Sequence, residues 1–153
     1  MSEPWVYSGE LVRVIDGDTA VLRVARPIDF GFRMAHQLSA VVTFRLTGID
    51  TPELVGATRA IGERARDRLH DMLTVQTGLG EWRPTPLRVL SLGEPDKYGG
   101  RWDARVLLDF AVPLDVGELL VRQGYAQSYS GKGPRPTWDP AAPYPLGQES
   151  SPF

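Results

Sequence analysis

The 153-residue chain has no cysteine and only two histidines, and each scarcity removes a class of site. Without cysteine, neither a disulfide framework nor a thiolate metal centre can form. His36 and His70 are far apart in the sequence and have no partners at ligand spacing, so a histidine metal site or a catalytic triad is not expected. Carboxylates are therefore the side chains left to hold a metal ion.

Long hydrophobic runs and an excess of basic charge are also missing. Nothing approaches the roughly twenty apolar residues of a membrane span, and residues 1–5 lack the basic and apolar regions of a signal peptide. We therefore expect a cytoplasmic protein without membrane contact. The net charge of −2 is unlike that of a non-specific nucleic-acid coat, although a site with a cation and arginines can be locally positive.

Two short acidic motifs, residues 16–19 and 44–53, each follow an apolar, β-branched run. Each is expected where a strand ends and a loop begins, so a small sheet can bring them side by side. Clustered carboxylates suit a hard divalent cation, and an arginine fork suits a phosphate. Together these groups are typical of phosphodiester cleavage. The motifs supply Asp16, Asp18, Asp50, Glu53 and Arg45.

Each motif also has a purely structural interpretation. Asp16-Gly17 after an apolar pair is a common hairpin turn, and the sequence of residues 51–53 could begin a helix. Arg45 could form a buried salt bridge, because an unpaired guanidinium among apolar neighbours is costly. A catalytic site is favoured by the joint occurrence of these motifs with a third segment, residues 96–102 (DKYGGRW).

Four stretches in the same order resemble the staphylococcal nuclease (thermonuclease) family. They are residues 14–19, residues 44–53, residues 96–99 followed by Arg101, and residues 120–126, and the resemblance covers roughly residues 8–130. It implies a mainly β fold with α (α+β), a five-stranded Greek-key barrel of the oligonucleotide-binding (OB) type with appended helices. The predicted elements fit this fold, because five short strands and two helices follow one another without the regular strand–helix–strand alternation of a βαβ protein.

The chain length fits a single domain, and the resemblance implies that residues 1–130 form a nuclease domain. Predicted strands cover residues 6–15, 19–24, 38–49, 87–92 and 102–110, and predicted helices cover residues 58–74 and 115–124. Thr58 and Asp115 are the expected N-caps. Residues 25–37 form a long connection that either closes over a substrate or partner, or packs as a plain insertion. Residues 131–153 are rich in proline, which predicts an extended or disordered tail.

The resemblance implies a calcium site. Asp18 and Asp50 match the two aspartates that bind Ca²⁺ in this family, and Thr51 matches the residue that offers its backbone carbonyl. Ca²⁺ accepts about six to eight oxygens at flexible geometry, which leaves room for water and a phosphate oxygen. Asp16 is expected to orient the site from behind the ligands, or only to shape the turn.

The resemblance also implies the catalytic residues. Glu53 matches the general base, and Arg45 and Arg101 match the arginines that bind the scissile phosphate. A second glycine, Gly100, precedes Arg101 where the family pattern has one glycine, so Arg105 is the rival for that role. We assign the role to Arg101, because a residue at the turn has more freedom than one within a strand.

Three further residues are predicted to bind substrate. Lys97 and Tyr98 match family positions that touch a terminal phosphate of the bound nucleotide. Tyr129 is a candidate for stacking on a base, with ordinary packing as its alternative.

The resemblance implies a calcium-dependent endonuclease on DNA, RNA or both. It would hydrolyse the 5′ P–O bond, leave 3′-phosphate ends, and prefer single strands or breathing duplex; a monomer is the expected state. The alternative is a catalytically silent OB-type barrel that binds nucleic acid or peptide. Retention of the acids and arginines at all matched positions favours catalysis.

Overall fold

The computed structural model describes residues 5–28, 31, 36–95 and 100–147, and the side chains of residues 93–95 lie outside that description. The elements of these residues, in chain order, are β1 (Trp5–Asp16), β2 (Thr19–Ile28), β3 (His36–Leu46), β4 (Ile49–Asp50), a 3₁₀ turn (Gly56–Thr58), α1 (Arg59–Leu73), β5 (Thr74–Gln76), β6 (Trp82–Pro84), β7 (Leu87–Pro95), β8 (Trp102–Leu108), β9 (Leu114–Asp115), α2 (Val116–Arg122) and β10 (Gln127–Ser128). No helix among them is long and apolar enough to cross a membrane.

Five strands form a closed barrel. The hydrogen-bonded order is β3-β2-β1-β7-β8, with β9 added to β8, and a parallel pairing of β3 with β8 closes the ring. At the closure Phe44 lies opposite Trp102, and Arg45 lies opposite Asp103. The predicted OB-type barrel with appended helices is confirmed. Closure also brings the strand that carries Arg45 beside the start of the strand that follows Arg101.

The barrel core is aliphatic and is covered by the predicted face of α1. The spacing of Ile61, Ala65, Leu69, Met72 and Leu73 predicts one apolar stripe on this helix, and all five residues are buried. Leu69, Met72 and Leu73 pack against side chains from the barrel strands and α2, whereas Ile61 and Ala65 pack against Tyr144. Fully burying a residue such as Leu69 stabilises the fold by roughly 1.5–3 kcal/mol. The largest fully buried apolar side chains are Leu22, Leu69, Leu73, Leu87, Leu120, Val89 and Val116.

The ends of both helices lie where the sequence predicts them. Thr58 is the N-cap of α1, but its hydroxyl donates to the carbonyl of Glu53 at 2.9 Å instead of accepting from the helix. This bond ties the start of the helix to the second acidic motif. Asp115 caps α2 by accepting from the amide of Glu118 at 3.1 Å. Gly124, with φ of +84°, follows the end of α2, in the left-handed conformation that suits glycine.

The prediction of one strand over residues 38–49 was wrong at its end. Gly48 has a φ of +84°, which turns the chain out of the barrel wall after β3. Ile49–Asp50 then pairs with Gln127–Ser128 as a separate two-stranded ladder. Asp50 therefore lies beside the chain that leads into the C-terminal residues.

The β2–β3 hairpin is longer than the sequence pattern suggested. Pairing continues from the barrel to Ile28 opposite His36, so both ends of the expected loop over residues 25–37 are strands. Most of the remaining loop lies outside the described residues, and its role stays a prediction.

Residues 131–147, which we call the C-terminal segment, contain neither helix nor strand and lie against the domain. Tyr144 is buried, and its hydroxyl donates to the carbonyl of Tyr125 at 2.8 Å. The amide of Leu146 donates to the carbonyl of Gly124 at 2.7 Å. A Cβ at position 124 would lie 2.0 Å from the Leu146 carbonyl oxygen, so glycine is required for this approach. The segment is thus fixed at its far end.

Candidate active site

The first acidic motif forms the tight turn between β1 and β2. The Asp16 carboxylate accepts from the amide of Asp18 at 3.1 Å, which shapes the turn. Asp18 is only 6% exposed, and its Oδ1 accepts from the hydroxyl of Thr19 at 3.0 Å. The carbonyl of Asp18 accepts from the amide of Leu46 at 2.7 Å. These bonds hold the Asp18 carboxylate at the edge of the barrel beside the end of β3.

Arg45 connects this turn to the second acidic motif. Its Nη2 lies 3.8 Å from Oδ2 of Asp18 and donates to the carbonyl of Ile49 at 3.0 Å. The β2–β3 register, which pairs Thr19 with Arg45, explains how the guanidinium reaches the turn. Arg45 therefore lies next to the predicted metal ligand Asp18, and it also forms the buried salt bridge that is its purely structural interpretation.

The charge of Asp18 is incompletely balanced. Burial raises the pKa of this carboxyl to about 8, and the neighbouring charge and hydrogen bond of Asp16 act in the same direction. Arg45 and the Thr19 hydroxyl lower the pKa, but they do not outweigh burial. An additional positive charge near Asp18 would therefore favour its ionised form.

Two glycines pack both acidic motifs against α1. A Cβ at position 17 would lie 2.7 Å from Cβ of Ala65 and 2.8 Å from Oγ1 of Thr51. A Cβ at position 62 would lie 2.5 Å from the carbonyl oxygen of Glu53. Only glycine, which has no side chain, therefore fits at positions 17 and 62 without displacing these neighbours. The turn that carries Asp18 and the loop of residues 51–53 meet on the same helix.

Asp50 is fully buried and has partners on both carboxylate oxygens. Its Oδ1 accepts from Nε of Arg135 at 3.0 Å and from Nη2 at 2.6 Å. Its Oδ2 accepts from the indole Nε1 of Trp138 at 2.8 Å. The third nitrogen of the same guanidinium, Nη1, donates to Oε1 of Glu53. One side chain of the C-terminal segment thus joins the predicted ligand to the predicted base.

Arg135 and Trp138 were missed at the sequence level, because the proline content of residues 131–153 suggested a tail apart from the site. An arginine between two prolines, followed closely by a tryptophan, was the available signal. Burial on its own would lower the pKa of Arg135, but hydrogen bonds to Asp50 and Glu53 and the charges of both carboxylates raise it above its ordinary value. This guanidinium is therefore a permanent cation.

The structure separates the two candidates for the second phosphate-binding arginine. Nη1 of Arg101 donates to Oγ1 of Thr19 at 3.2 Å, directly beside Asp18. Arg105 instead pairs with Asp115 at 2.9 Å, at the start of α2. Arg101 therefore adjoins the candidate site, whereas Arg105 is engaged at a helix cap.

Of the three predicted substrate-binding residues, the structure describes only Tyr129. Lys97 and Tyr98 lie outside the described residues. Tyr129 is buried, and its hydroxyl donates to the carbonyl of Gly133 at 2.8 Å. Stacking of a base on Tyr129 would require this part of the chain to open, so the stacking role stays a prediction.

The oxygen donors suit a hard cation. In the part of the chain that the structure describes, no three acidic or histidine side chains converge on a common point. The predicted donors are the carboxylates of Asp18 and Asp50 and the Thr51 carbonyl, and water would complete a donor set of the kind that Ca²⁺ accepts. The incompletely balanced charge of Asp18 fits such an ion. At Asp50 the ion would lie next to the positively charged guanidinium of Arg135, which binds Oδ1 of that carboxylate.

The family model of staphylococcal nuclease homologues matches residues 43–141, which is more than half of the chain, and the chain belongs to this family. The matched range contains Arg45, Asp50, Glu53, Arg101 and Arg135, and it begins after the Asp18 turn. None of the curated proteins compared with the chain matches it.

Proposed function

We propose that this protein is a calcium-dependent endonuclease that hydrolyses phosphodiester bonds of DNA, RNA or both and leaves 3′-phosphate ends. The observation that carries the proposal is the meeting of two arginines at one acidic corner. Arg45 lies 3.8 Å from Asp18, and Arg101 donates to Thr19 at 3.2 Å. A carboxylate that can bind a cation and two arginines that can bind a phosphate are the groups that phosphodiester cleavage uses.

Asp18, Asp50 and the carbonyl of Thr51 would hold the Ca²⁺ ion, with Asp16 keeping the Asp18 turn in shape. A bound ion would supply positive charge to a phosphate oxygen and to the buried carboxylates. The close packing of Gly17 against Thr51 and Ala65 supports this proposal, because it sets the turn that carries Asp18 beside the residue that follows Asp50.

Glu53 would act as the general base. Its side chain is 53% exposed, so water can reach it, while its backbone is held by α1 at Gly62. In the hydrolysis, a water oxygen bonds to phosphorus and one of its protons passes to Glu53. The P–O bond to the 5′ oxygen breaks, its electron pair stays on that oxygen, and a proton from solvent water completes the 5′-hydroxyl. The 3′ oxygen keeps the phosphate.

Arg45 and Arg101 would bind the non-bridging oxygens of the scissile phosphate. Fixed donors aimed at these oxygens stabilise the charge that grows on them in the transition state. The planar guanidinium can give two parallel hydrogen bonds to one phosphate, which a lysine cannot. Single strands or breathing duplex are the proposed substrates, with Lys97, Tyr98 and Tyr129 as further contacts, and a monomer is the proposed active form.

A catalytically silent barrel that binds nucleic acid or peptide is the second candidate. The observation that favours it is the closure of Asp50 and Glu53 by Arg135 and Trp138. In such a protein, these contacts would be a permanent structural cluster, and the acids would have no catalytic task.

Cleavage of labelled single-stranded DNA and RNA by the wild type and Glu53→Gln separates these candidates. We expect the wild type to cleave in Ca²⁺ and not in chelator, and Glu53→Gln to bind the strands, measured by fluorescence anisotropy, without cleaving them. Binding without cleavage by the wild type in every metal would favour the silent barrel.

A further inference from the structure

The guanidinium of Arg135 binds Oδ1 of Asp50, the predicted metal ligand, and Oε1 of Glu53, the predicted base. We infer that Arg135 is an internal counter-ion that a divalent cation must displace, so that the C-terminal segment closes the site in the metal-free protein. The inference rests on the proposed function, because it concerns the same metal ligand and the same base.

The contacts of Arg135 involve both carboxylates of the candidate site. Three nitrogens of one guanidinium serve two carboxylates, and the indole of Trp138 takes the other oxygen of Asp50. Ca²⁺ binds carboxylate oxygens at about 2.3–2.6 Å, so it would approach a fixed positive charge that uses the same oxygens. The two cations repel each other most strongly at this buried carboxylate, where water screens them least.

Hydrogen bonds on both sides of Arg135 hold the C-terminal segment in place. Before Arg135, the hydroxyl of Tyr129 donates to the carbonyl of Gly133, and after it the side-chain amide of Gln127 donates to the carbonyl of Thr137. Gln127 itself lies opposite Asp50 in the β4–β10 ladder. The backbone around residue 135 is therefore anchored to the strand that pairs with the ligand.

The side chain of Arg135 can rotate away from Asp50 while its backbone stays in place. The Arg135 side chain is 40% exposed, whereas that of Asp50 is buried. Rotation of the guanidinium into water would break its contacts with Asp50 and Glu53 without opening the core. The same rotation would free a metal ligand and the base, so metal binding and activation of Glu53 would be coupled.

Calcium affinity measured by isothermal titration calorimetry tests the inference on the full chain. Arg135→Gln is the informative variant, and Arg59→Gln is the charge-matched control, because Arg59 forms an exposed pair with Glu63 on α1. Removing a like charge at this range predicts that Arg135→Gln binds Ca²⁺ at least about tenfold more tightly than the wild type. Arg59→Gln should stay within about twofold of the wild type, because exposed charges are screened.

A second variant and a second signal guard against misfolding. Arg135→Lys keeps the charge but loses the fork, so it should bind Ca²⁺ less tightly than Arg135→Gln. In ¹H–¹⁵N spectra, the indole resonance of Trp138, assigned with Trp138→Phe, should shift when Ca²⁺ is added to the wild type, because its acceptor is Asp50.

The possible failures are distinguishable. If the wild type binds Ca²⁺ and Arg135→Gln binds it equally or less tightly, the inference is overturned while the proposed function stands. If neither protein binds Ca²⁺ at millimolar concentration, the inference and the calcium-dependent function fall together.

Discussion

The guanidinium of Arg101 donates to the hydroxyl of Thr19, and that hydroxyl in turn donates to the carboxylate of Asp18. The two residues lie 82 positions apart in the chain. This relay connects the residue preceding β8 to the turn that carries the first candidate metal ligand. It places Arg101, one of the two proposed phosphate-binding arginines, at the acidic corner that Arg45 also reaches.

Replacement of Arg101 by alanine should lower kcat roughly 10²-fold or more, as expected for loss of a preorganised donor to transition-state charge. Binding of intact single strands should weaken far less, because Arg45 and the cation still hold the ground-state phosphate. Steady-state kinetics and anisotropy measure the two effects.

Arg105→Ala is the control for this prediction. Its partner Asp115 caps α2, so the change should lower stability more than turnover. Arg101→Lys should restore little activity, since a point charge lacks the fork. Loss of cleavage in Arg105→Ala with full cleavage in Arg101→Ala would show that the roles were assigned the wrong way round.

Gly62→Ala should destabilise the protein and reduce cleavage together. The added Cβ would lie 2.5 Å from the carbonyl oxygen of Glu53, so α1 and the loop that carries the proposed base must separate. Overpacking of this kind costs about 1–3 kcal/mol. Thermal melting and kinetics measure the two effects. The matched control is Gly78→Ala, whose Cβ meets nothing within 4 Å; equal losses in both variants would contradict the packing argument.

The raised pKa of Asp18 predicts a pH-dependent stability. This carboxyl has a pKa of about 8 in the folded protein and 3.8 as its ordinary value. Between these values the folded state binds a proton that the unfolded state has released, so the free energy of unfolding falls as the pH rises. The Asp18→Asn variant has no carboxyl at this position, so its stability lacks this pH dependence. In the wild type, burial and Asp16 raise the pKa of Asp18, and Arg45 lowers it.

The measurement is the Tm of both proteins in chelator at pH 4 and pH 8. We expect the wild type to lose at least about 3 °C relative to Asp18→Asn over this range. A difference in Tm that does not change with pH would show that Asp18 is ionised in the folded protein throughout.

The sequence patterns predicted most of what depends on local periodicity and on matched motifs. The stripe on α1 and the cap at Asp115 follow from spacings within a few residues, and the structure confirms them. Arg101 contacts Thr19 and Arg105 contacts Asp115, and the assignment of the phosphate-binding role to Arg101 stays a prediction. The stripe and the cap could be predicted because neighbours in sequence determine them, whereas the contact of Arg101 with Thr19 joins residues 82 positions apart.

The missed features depend on contacts between distant residues. Arg135 meets Asp50 only because Gly48 turns the chain out of β3 and Asp50 then pairs with β10. Trp138 reaches the same carboxylate from 88 positions away. Proline correctly indicates the absence of regular structure, but it says nothing about which surface an irregular segment covers.

Metal choice should follow cavity geometry. We expect cleavage with Ca²⁺ and little with Mg²⁺, because the smaller ion demands near-ideal octahedral geometry and shorter bonds than this donor set is expected to provide. Initial rates on one single-stranded substrate across a series of both metals provide the check. Robust turnover in Mg²⁺ with none in Ca²⁺ would indicate a different nuclease chemistry.

The chemistry of the product ends tests the central claim most directly. A defined single-stranded oligonucleotide is incubated with the wild type in Ca²⁺, and the fragments are weighed by mass spectrometry, with Glu53→Gln as the blank for contaminating nucleases. The account predicts fragments that end in a 3′-phosphate and begin with a 5′-hydroxyl, and none with Glu53→Gln. An intact oligonucleotide, or fragments that carry a 5′-phosphate and a 3′-hydroxyl, would contradict it.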